Sequence, residues 1–153
     1  MKKTILILML LLNVSFTVSR AEDRPLAMTE AEAREFCAKW LPNWVGGAPA
    51  VENLLTFYTD DAFYDDPNVP KGAKGKEALG SYLKLLLAKY PDWKFDIVSI
   101  NPTPKGFILQ YLAKVPQIGG KTIENFRGVD IIEMEGGKIS KQQGYFDRHV
   151  FFE

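Results

Sequence analysis

The apolar residues of this chain follow a helical period up to about residue 90 and then alternate with polar residues. A first helix is predicted to begin at the capping box Thr29–Glu32, where a hydroxyl and a glutamate satisfy free backbone amides. Its apolar side is formed by Phe36, Cys37, Trp40, Leu41 and Trp44. Pro42 lacks the N–H that a helix interior needs, so we expect this helix to kink or end near Leu41.

Two further helices are predicted before Pro91. The second should start near Pro49, a residue suited to a first helical turn, and should bury Val51, Leu54, Leu55 and Tyr58. The third should cover about residues 76–90 and stop at Pro91. Its buried side should hold Leu79, Leu83, Leu86, Leu87 and Tyr90. Between the two helices, residues 63–65 are predicted to form a short strand closed by Pro67.

The alternating part of the chain predicts four strands, at residues 93–100, 107–115, 122–134 and 138–146. Gly119–Gly120 and Gly136–Gly137 lie where tight hairpin turns need positive φ angles, so the strands should be consecutive and antiparallel. Helices followed by such a meander indicate the α+β class, with three N-terminal helices packed on one face of a curved antiparallel sheet.

The N-terminus has the features of a secretory signal covering residues 1–21. Lys2 and Lys3 precede an apolar run at residues 4–12 that is too short to span a bilayer, and Ser19 and Ala21 have the spacing that a signal peptidase recognises. An uncleaved anchor is the weaker alternative. We therefore expect a mature domain at residues 22–153, secreted or periplasmic, with no stable membrane insertion after cleavage.

Removal of the signal would make the domain slightly acidic. It takes away Lys2, Lys3 and Arg20 but no acid, so 19 basic residues fall to 16 against 19 acidic ones. The lysines are scattered, whereas a nucleic-acid surface needs a basic stripe, so no nucleic-acid partner is expected. Cys37 is the only cysteine, which excludes a disulfide within the chain. It is predicted as a small core residue; the alternative is an exposed thiol that pairs between chains.

Histidine, glycine and acidic residues limit the chemistry that the chain can perform. His149 is the single histidine, and no other cluster has metal-ligand spacing, so neither a metal nor a cofactor is expected. Gly72, Gly75 and Gly80 form no phosphate-binding pattern. Asp66 ends a short aromatic run directly before a proline, which suggests a carboxylate at the mouth or wall of a pocket.

A second candidate carboxyl lies in the third predicted strand. Alternation places Asp130, Ile132 and Met134 on one face of that strand and Glu133 and Glu135 on the other. If the apolar face looks into a pocket, burial would raise the pKa of Asp130, and a nearby carboxylate would act in the same direction. Such a pair can take a proton from carbon and stabilise the resulting enolate.

Four segments carry a resemblance to a known family. They are Tyr58-Thr-Asp-Asp-Ala-Phe-Tyr-Asp-Asp-Pro67, Gly75-Lys-Glu-Ala78, Val129-Asp-Ile-Ile-Glu-Met-Glu-Gly-Gly-Lys-Ile139 and the ending Gly-Tyr-Phe-Asp147. Together they resemble the SnoaL-like group of the nuclear-transport-factor-2-like superfamily, which implies a cone-shaped α+β fold. The superfamily includes isomerases, cyclases, epoxide hydrolases, dehydratases and non-catalytic binding modules, so the resemblance leaves the function open.

Within this group, ketosteroid isomerase is similar in its Asp-Asp-Ala motif followed by Asp-Pro. The resemblance implies that Asp66 is a general base and that Asp130 is an acid that stays protonated to stabilise an oxyanion. That enzyme also uses a tyrosine in its first helix, where this chain has none. The candidates to replace it are Tyr58, Tyr64, Tyr82 and Tyr111. The arginine and aspartates of limonene-type epoxide hydrolases are replaced by Gln110, Leu112 and Gly144, which disfavours that activity.

Two functions follow as hypotheses. The first is an exported enzyme that performs acid/base chemistry on a small hydrophobic molecule, with Asp66 as base and Asp130 as its proton-sharing partner. The second is a binding or dimerisation module that keeps only the fold. The pocket wall is expected to include Trp40, Tyr58, Tyr64, Tyr111 and Ile132. By analogy with the family, the outer sheet face should form a homodimer.

Both aspartates also have ordinary structural interpretations. In this interpretation Asp66 is bonded only to its own turn, because an aspartate before a proline often starts one. Asp130 is then paired with a nearby basic residue. The candidates for that pairing are Lys121, Arg127 and Lys141.

Overall fold

The computed structural model describes residues 25–152. It contains three α-helices, α1 (Glu30–Trp40), α2 (Val51–Leu55) and α3 (Gly75–Lys89). The strands are β1 (Tyr58–Asp65), β2 (Ala73–Lys74), β3 (Lys94–Thr103), β4 (Gly106–Val115), β5 (Ile123–Glu135) and β6 (Lys138–Phe146). Short 3-10 turns occupy Leu41–Trp44, Ala48–Ala50 and Arg148–Phe151. The predicted signal, residues 1–21, lies outside the described residues.

All six strands form one sheet in the order β2-β1-β6-β5-β4-β3. Strands β3 to β6 are an antiparallel meander, and Gly136 and Gly137 form the last turn with φ angles of 55° and 77°. The predicted α+β class is confirmed, with three helices and a curved open sheet. None of the helices within residues 25–152 has the length and apolar character needed to cross a membrane.

Strand β1 occupies a position that the sequence pattern did not predict. It runs parallel to β6, with Tyr64 opposite Gln142 and Asp65 opposite Gln143. Consequently the end of β1, where Asp66 follows, lies beside the end of the last strand. A parallel neighbour needs a long crossover, and here α3 and the meander together supply it.

The prediction that Tyr58 belongs to the second helix is wrong. Helix α2 ends at Leu55, and Tyr58 is the first residue of β1. The Ile139 N–H donates to the carbonyl of Phe57, and Tyr58 pairs with Ile139, so β6 provides backbone partners that override the local helical period. Strand β1 is therefore eight residues long instead of the predicted three.

The first helix begins and ends as predicted. The Thr29 N–H donates to Glu32 Oε2 at 2.7 Å, and the Glu32 N–H donates to Thr29 Oγ1 at 3.2 Å, which completes the capping box. The helix stops at Trp40, and the following 3-10 turn contains Pro42. Cys37 is fully buried, and burial raises the pKa of its thiol to about 12. The alternative of an exposed thiol is therefore wrong.

An aromatic cluster lies between the helices and the inner face of the sheet. The ring centroids of Trp44 and Trp93 are 5.9 Å apart, and those of Trp93 and Phe126 are 5.3 Å apart in an edge-to-face arrangement. The main chain reinforces this packing, because the Trp93 N–H donates to the Trp44 carbonyl at 3.2 Å. This cluster forms one wall of the cavity described next.

Candidate functional site

A small cavity separates the helices from the inner face of the sheet. Nine of its fourteen lining residues are aromatic, so its wall is rigid and mostly apolar. The lining consists of Trp40, Trp44, Tyr64, Asp66, Asn68, Tyr82, Leu86, Trp93, Phe95, Tyr111, Asp130, Gln142, Phe146 and Phe151. The volume open to a water-sized sphere is about 20 Å³, which suffices for one water molecule.

Asp66 is a buried carboxylate in which both oxygens are occupied. Oδ1 accepts the backbone N–H groups of Asn68 at 2.6 Å and Val69 at 3.0 Å, the turn bonding expected of an aspartate before a proline. Oδ2 accepts the hydroxyls of Tyr64 at 2.7 Å and Tyr82 at 2.5 Å. All four bonds stabilise the ionised carboxylate. Asp66 is therefore both a turn residue and part of the cavity wall.

The two tyrosines that bind Asp66 stay protonated. Burial is the main cause that raises the pKa of Tyr64 and of Tyr82, and the negative charge of Asp66 adds to it. A neutral hydroxyl can donate and a phenolate cannot. The aspartate and the tyrosines thus reinforce each other's protonation states.

Asp130 has a different environment at the centre of β5. Its side chain faces the cavity, as alternation predicted, and Oδ2 accepts the Gln142 side-chain N–H at 2.9 Å. Burial raises the pKa of Asp130 from 3.8 to about 7; the charge of Asp66 acts in the same direction, and the Gln142 bond opposes both. Of the salt bridges found in residues 25–152, none includes Asp130, so pairing with Lys121, Arg127 or Lys141 is wrong.

A third polar side chain orients Gln142. The Tyr58 hydroxyl donates to Gln142 Oε1 at 2.6 Å, which leaves the amide N–H₂ group facing Asp130. Burial raises the pKa of Tyr58 far above its ordinary value, so this hydroxyl remains a donor. Tyr58, Gln142 and Asp130 therefore form a continuous buried chain of hydrogen bonds.

Gly144 is the residue that lets the two aspartates approach each other. A Cβ atom at this position would lie 3.2 Å from Asp66 Cβ and 3.3 Å from Asp130 Oδ1. Strand β6 lies between β1 and β5, so a larger side chain at Gly144 would crowd both carboxyl groups. The absence of a side chain at this position keeps the space between the acids open.

Three buried indole groups add hydrogen-bond donors around the cavity. The N–H groups of Trp40, Trp44 and Trp93 have no acceptor with hydrogen-bond geometry within the described part of the chain. The Trp40 indole nevertheless lies close enough to Tyr58 to oppose the rise in the pKa of that hydroxyl. The indoles of Trp44 and Trp93 are therefore the two donors that most clearly lack an acceptor.

The residues predicted for the site divide into two groups. Asp66, Asp130, Trp40, Tyr64 and Tyr111 all line the cavity. The other two predicted residues, Tyr58 and Ile132, are buried but do not line it, and Tyr58 reaches the site only through Gln142.

Sequence reasoning assigned no site role to Gln142 and Gly144, and it named Tyr82 only as a possible substitute tyrosine. Tyr82 lies one helical turn before Leu86 on the same side of α3, and this spacing was a usable signal. No group of three or more His, Cys, Asp or Glu residues able to hold a metal ion occurs in residues 25–152.

Comparison with known structures supports the same fold. A protein from Catenulispora acidiphila with a ketosteroid isomerase-like fold, in complex with trimethylamine, has a TM-score of 0.63 at 16% identity, covering 74% of this chain and 86% of that one. A SnoaL-like protein of unknown function from Burkholderia thailandensis has a TM-score of 0.64 at 17% identity, covering 78% and 98%. An epoxide hydrolase from Mycobacterium tuberculosis gives 0.61 at 15% identity, covering 80% and 88%. At these identities the likeness concerns the fold alone.

Comparison of the amino-acid sequence with protein-family models identifies the family. Among curated proteins, no relative matched this chain. The family model described as the SnoaL-like domain matches residues 32–142, which extends from α1 to the Gln142 side chain beside Asp130. The match covers most of the chain, and the chain therefore belongs to the SnoaL-like domain family.

Proposed function

We propose that this domain binds a small, largely apolar molecule that carries a carbonyl or similar oxygen, and that it performs acid/base chemistry of the isomerase or cyclase type on that molecule. One observation carries the proposal: two buried carboxyl groups with different environments meet in a single aromatic cavity. The unpaired indole donors of Trp44 and Trp93 favour a ligand with an acceptor oxygen.

The two carboxyl groups take different roles in this proposal. Asp130 has a pKa of about 7, so near neutral pH it can donate a proton or a hydrogen bond to the ligand oxygen. Its Oδ1 atom has no hydrogen-bond partner among the described residues and is free to contact a ligand. Asp66 is the proton acceptor in this proposal and takes a proton from the adjacent carbon after one tyrosine hydroxyl moves away. Tyr82 is that hydroxyl, because it is half-buried whereas Tyr64 is buried.

A second candidate function is binding without catalysis. Two observations favour it: both oxygens of Asp66 are already occupied by four donors, and the cavity has space for only one water molecule. A carboxylate that accepts four hydrogen bonds is stabilised in its charged form and is hindered in accepting a proton. The two functions are separated by whether a proton is exchanged with carbon.

Proton exchange can be measured directly with 2-tetralone in D₂O, since this aromatic ketone has acidic C–H groups beside its carbonyl. NMR should show faster C–H to C–D exchange with the protein than with buffer, by about 100-fold or more for positioned general acid–base groups. Asp66→Asn should abolish the acceleration, and Asp130→Asn should reduce it. Asp96→Asn, at an exposed position on β3, is the matched control and should exchange as the wild type does. Equal rates in buffer and with the wild type would favour the binding module.

The raised pKa of Asp130 also predicts how stability depends on pH. Below about pH 4 the carboxyl is protonated in both the folded and the unfolded state. Between pH 4 and 7 the unfolded chain loses this proton while the folded domain keeps it, so the free energy of unfolding should fall as pH rises. The full cost above pH 7 is on the order of 4 kcal/mol.

Urea denaturation from pH 4 to 8 tests this linkage. Asp130→Asn should remove most of the decline in the free energy of unfolding and should be more stable than the wild type above pH 7. Tyr58, Tyr64 and Tyr111 face the same region, but their pKa values are raised far above this range, so they should not contribute. Asp96→Asn should keep the wild-type decline. A variant at Asp130 with the same pH dependence as the wild type would show that this carboxyl does not titrate near pH 7.

We also propose that the domain is a homodimer through the outer face of its sheet. A shallow groove on this face is lined by residues that include Val98, Leu112, Arg127, Val129 and Tyr145. The Val98 and Tyr145 residues are each 52% exposed, which is unusual for apolar groups on adjacent parts of one surface.

Light scattering after size-exclusion chromatography tests the dimer. The wild type should have twice the mass of one chain, and Tyr145→Asp should shift it to the monomer because a charge would be buried at the interface. Ile118→Asp places the same charge at an exposed residue outside the sheet and should leave the dimer intact. A monomeric wild type would contradict the proposal.

Export completes the proposed function, with residues 1–21 acting as a signal and the domain working in the secreted or periplasmic space. The basic start, the short apolar run and the small residues Ser19 and Ala21 support it. Mass spectrometry of the protein recovered outside the cytoplasm should find Glu22 as its first residue. Recovery of the full-length chain from the membrane fraction would instead support the uncleaved anchor.

A further inference from the structure

Phe151 forms part of the cavity wall with its aromatic ring. Its centroid lies 5.0 Å from that of Tyr90, 5.4 Å from Phe126, 5.8 Å from Phe146 and 6.4 Å from Trp93. Phe146 and Trp93 line the same cavity. Phe151 is therefore one of the nine aromatic residues that line the cavity around the two aspartates, which we call the aromatic box.

The volume of the cavity shows why the Phe151 ring matters for ligand binding. The cavity has about 20 Å³ open to a water-sized sphere, whereas an engineered apolar cavity that takes benzene measures about 150 Å³. Any organic ligand therefore requires the cavity to grow several-fold. A wall residue must move to provide that room.

The aromatic rings that contact Phe151 from the sheet and from Trp93 belong to better-connected elements. Phe126 and Phe146 lie on β5 and β6, whose backbones are paired in the sheet, and Trp93 is bonded to Trp44 through the main chain. Their backbone positions are fixed by hydrogen bonds that would be costly to lose in the low-dielectric interior.

Phe151 lies instead on the 3-10 turn Arg148–Phe151, which is only four residues long. Within residues 25–152, the only hydrogen bond that joins this turn to the remainder of the domain runs from Arg148 Nη1 to the Pro67 carbonyl, at 3.3 Å. The Asp147 carboxylate caps the turn internally through the His149 N–H. The turn can therefore move as a unit at the cost of one exposed hydrogen bond and the core contacts of Val150 and Phe151.

We infer that Phe151 is a displaceable wall of the cavity, and that it sets the size of ligand that Asp66 and Asp130 receive. This inference rests on the proposed function, because it concerns the same site. The Arg148 bond attaches the turn to the carbonyl of Pro67, the residue directly after Asp66, so the movable turn is linked directly to the backbone beside that carboxylate.

Binding of 2-naphthol, a neutral bicyclic molecule with one oxygen, provides the first test. Phe151→Ala should lower its dissociation constant at least about tenfold, because binding then requires no displacement of the ring. Phe151→Leu, which keeps part of the side-chain volume, should give an intermediate value and provides a second variant should the alanine variant fail to fold. Phe152→Ala is the matched control, since the neighbouring Phe152 is 71% exposed, and it should bind as the wild type does. Equal affinities in all four proteins would contradict the inference that Phe151 is a displaceable wall, but they would leave the binding function in place.

Xenon provides a second test that needs no organic ligand. Crystals of Phe151→Ala or Phe151→Leu under xenon pressure should show a bound atom in the space left by the Phe151 ring, beside Tyr90, Phe126 and Phe146, because xenon occupies apolar cavities of sufficient size. Crystals of Phe152→Ala should show none there. If the Phe151 variants bind xenon but none of the four proteins binds 2-naphthol, the inference that Phe151 is a displaceable wall would stand. The proposed function would then be contradicted. Folded Phe151 variants that bind neither xenon nor 2-naphthol would contradict the inference that Phe151 is a displaceable wall.

Discussion

The site depends on how the domain accommodates two carboxyl groups in one apolar cavity. Removing a carboxylate from water is costly unless hydrogen bonds replace its hydration, and a second negative charge nearby adds repulsion. The domain provides Asp66 with four donors and Asp130 with one. One negative charge is thus well stabilised, and the second carboxyl keeps its proton up to about pH 7. The two carboxyl groups thus differ in hydrogen bonding, and this asymmetry accompanies the burial that raises the pKa of Asp130.

This asymmetry has a topological origin. Asp66 follows β1 and can use the backbone N–H groups of its own turn, which are free because Pro67 ends the strand. Asp130 lies in the middle of β5, where the backbone groups are committed to the sheet. It therefore depends on the side chain of Gln142 from the neighbouring strand. An aspartate at a strand end and one at a strand centre meet different donors even when they share a cavity.

The sequence predicted the features that are local. The change from helical to alternating period located the meander, the pair Gly136–Gly137 located its last turn, and alternation along β5 placed Asp130 on the inner face. It could not predict the parallel pairing of β1 with β6, because those strands are far apart in the chain. Nor could it place Gln142 in the cavity. A register shift in the β5–β6 ladder makes Ser140 an extra residue, and its hydroxyl donates to the Glu133 carbonyl. This bulge moves Gln142 and Gly144 to the buried face already occupied by Ile139, which simple alternation would exclude.

The small volume of the cavity and the raised pKa of Asp130 have the same cause. Burial is the largest contribution to that pKa, and the aromatic box maintains the burial by excluding water. Displacement of the Phe151 ring would therefore do more than make room, because water entering the space would stabilise the ionised form of Asp130. A ligand that refills the space with apolar surface would instead keep Asp130 dehydrated and protonated, and so able to donate to the ligand oxygen. Ligand shape and the protonation of Asp130 are consequently coupled: a molecule that fills the box preserves the acid, and one that fits poorly removes it.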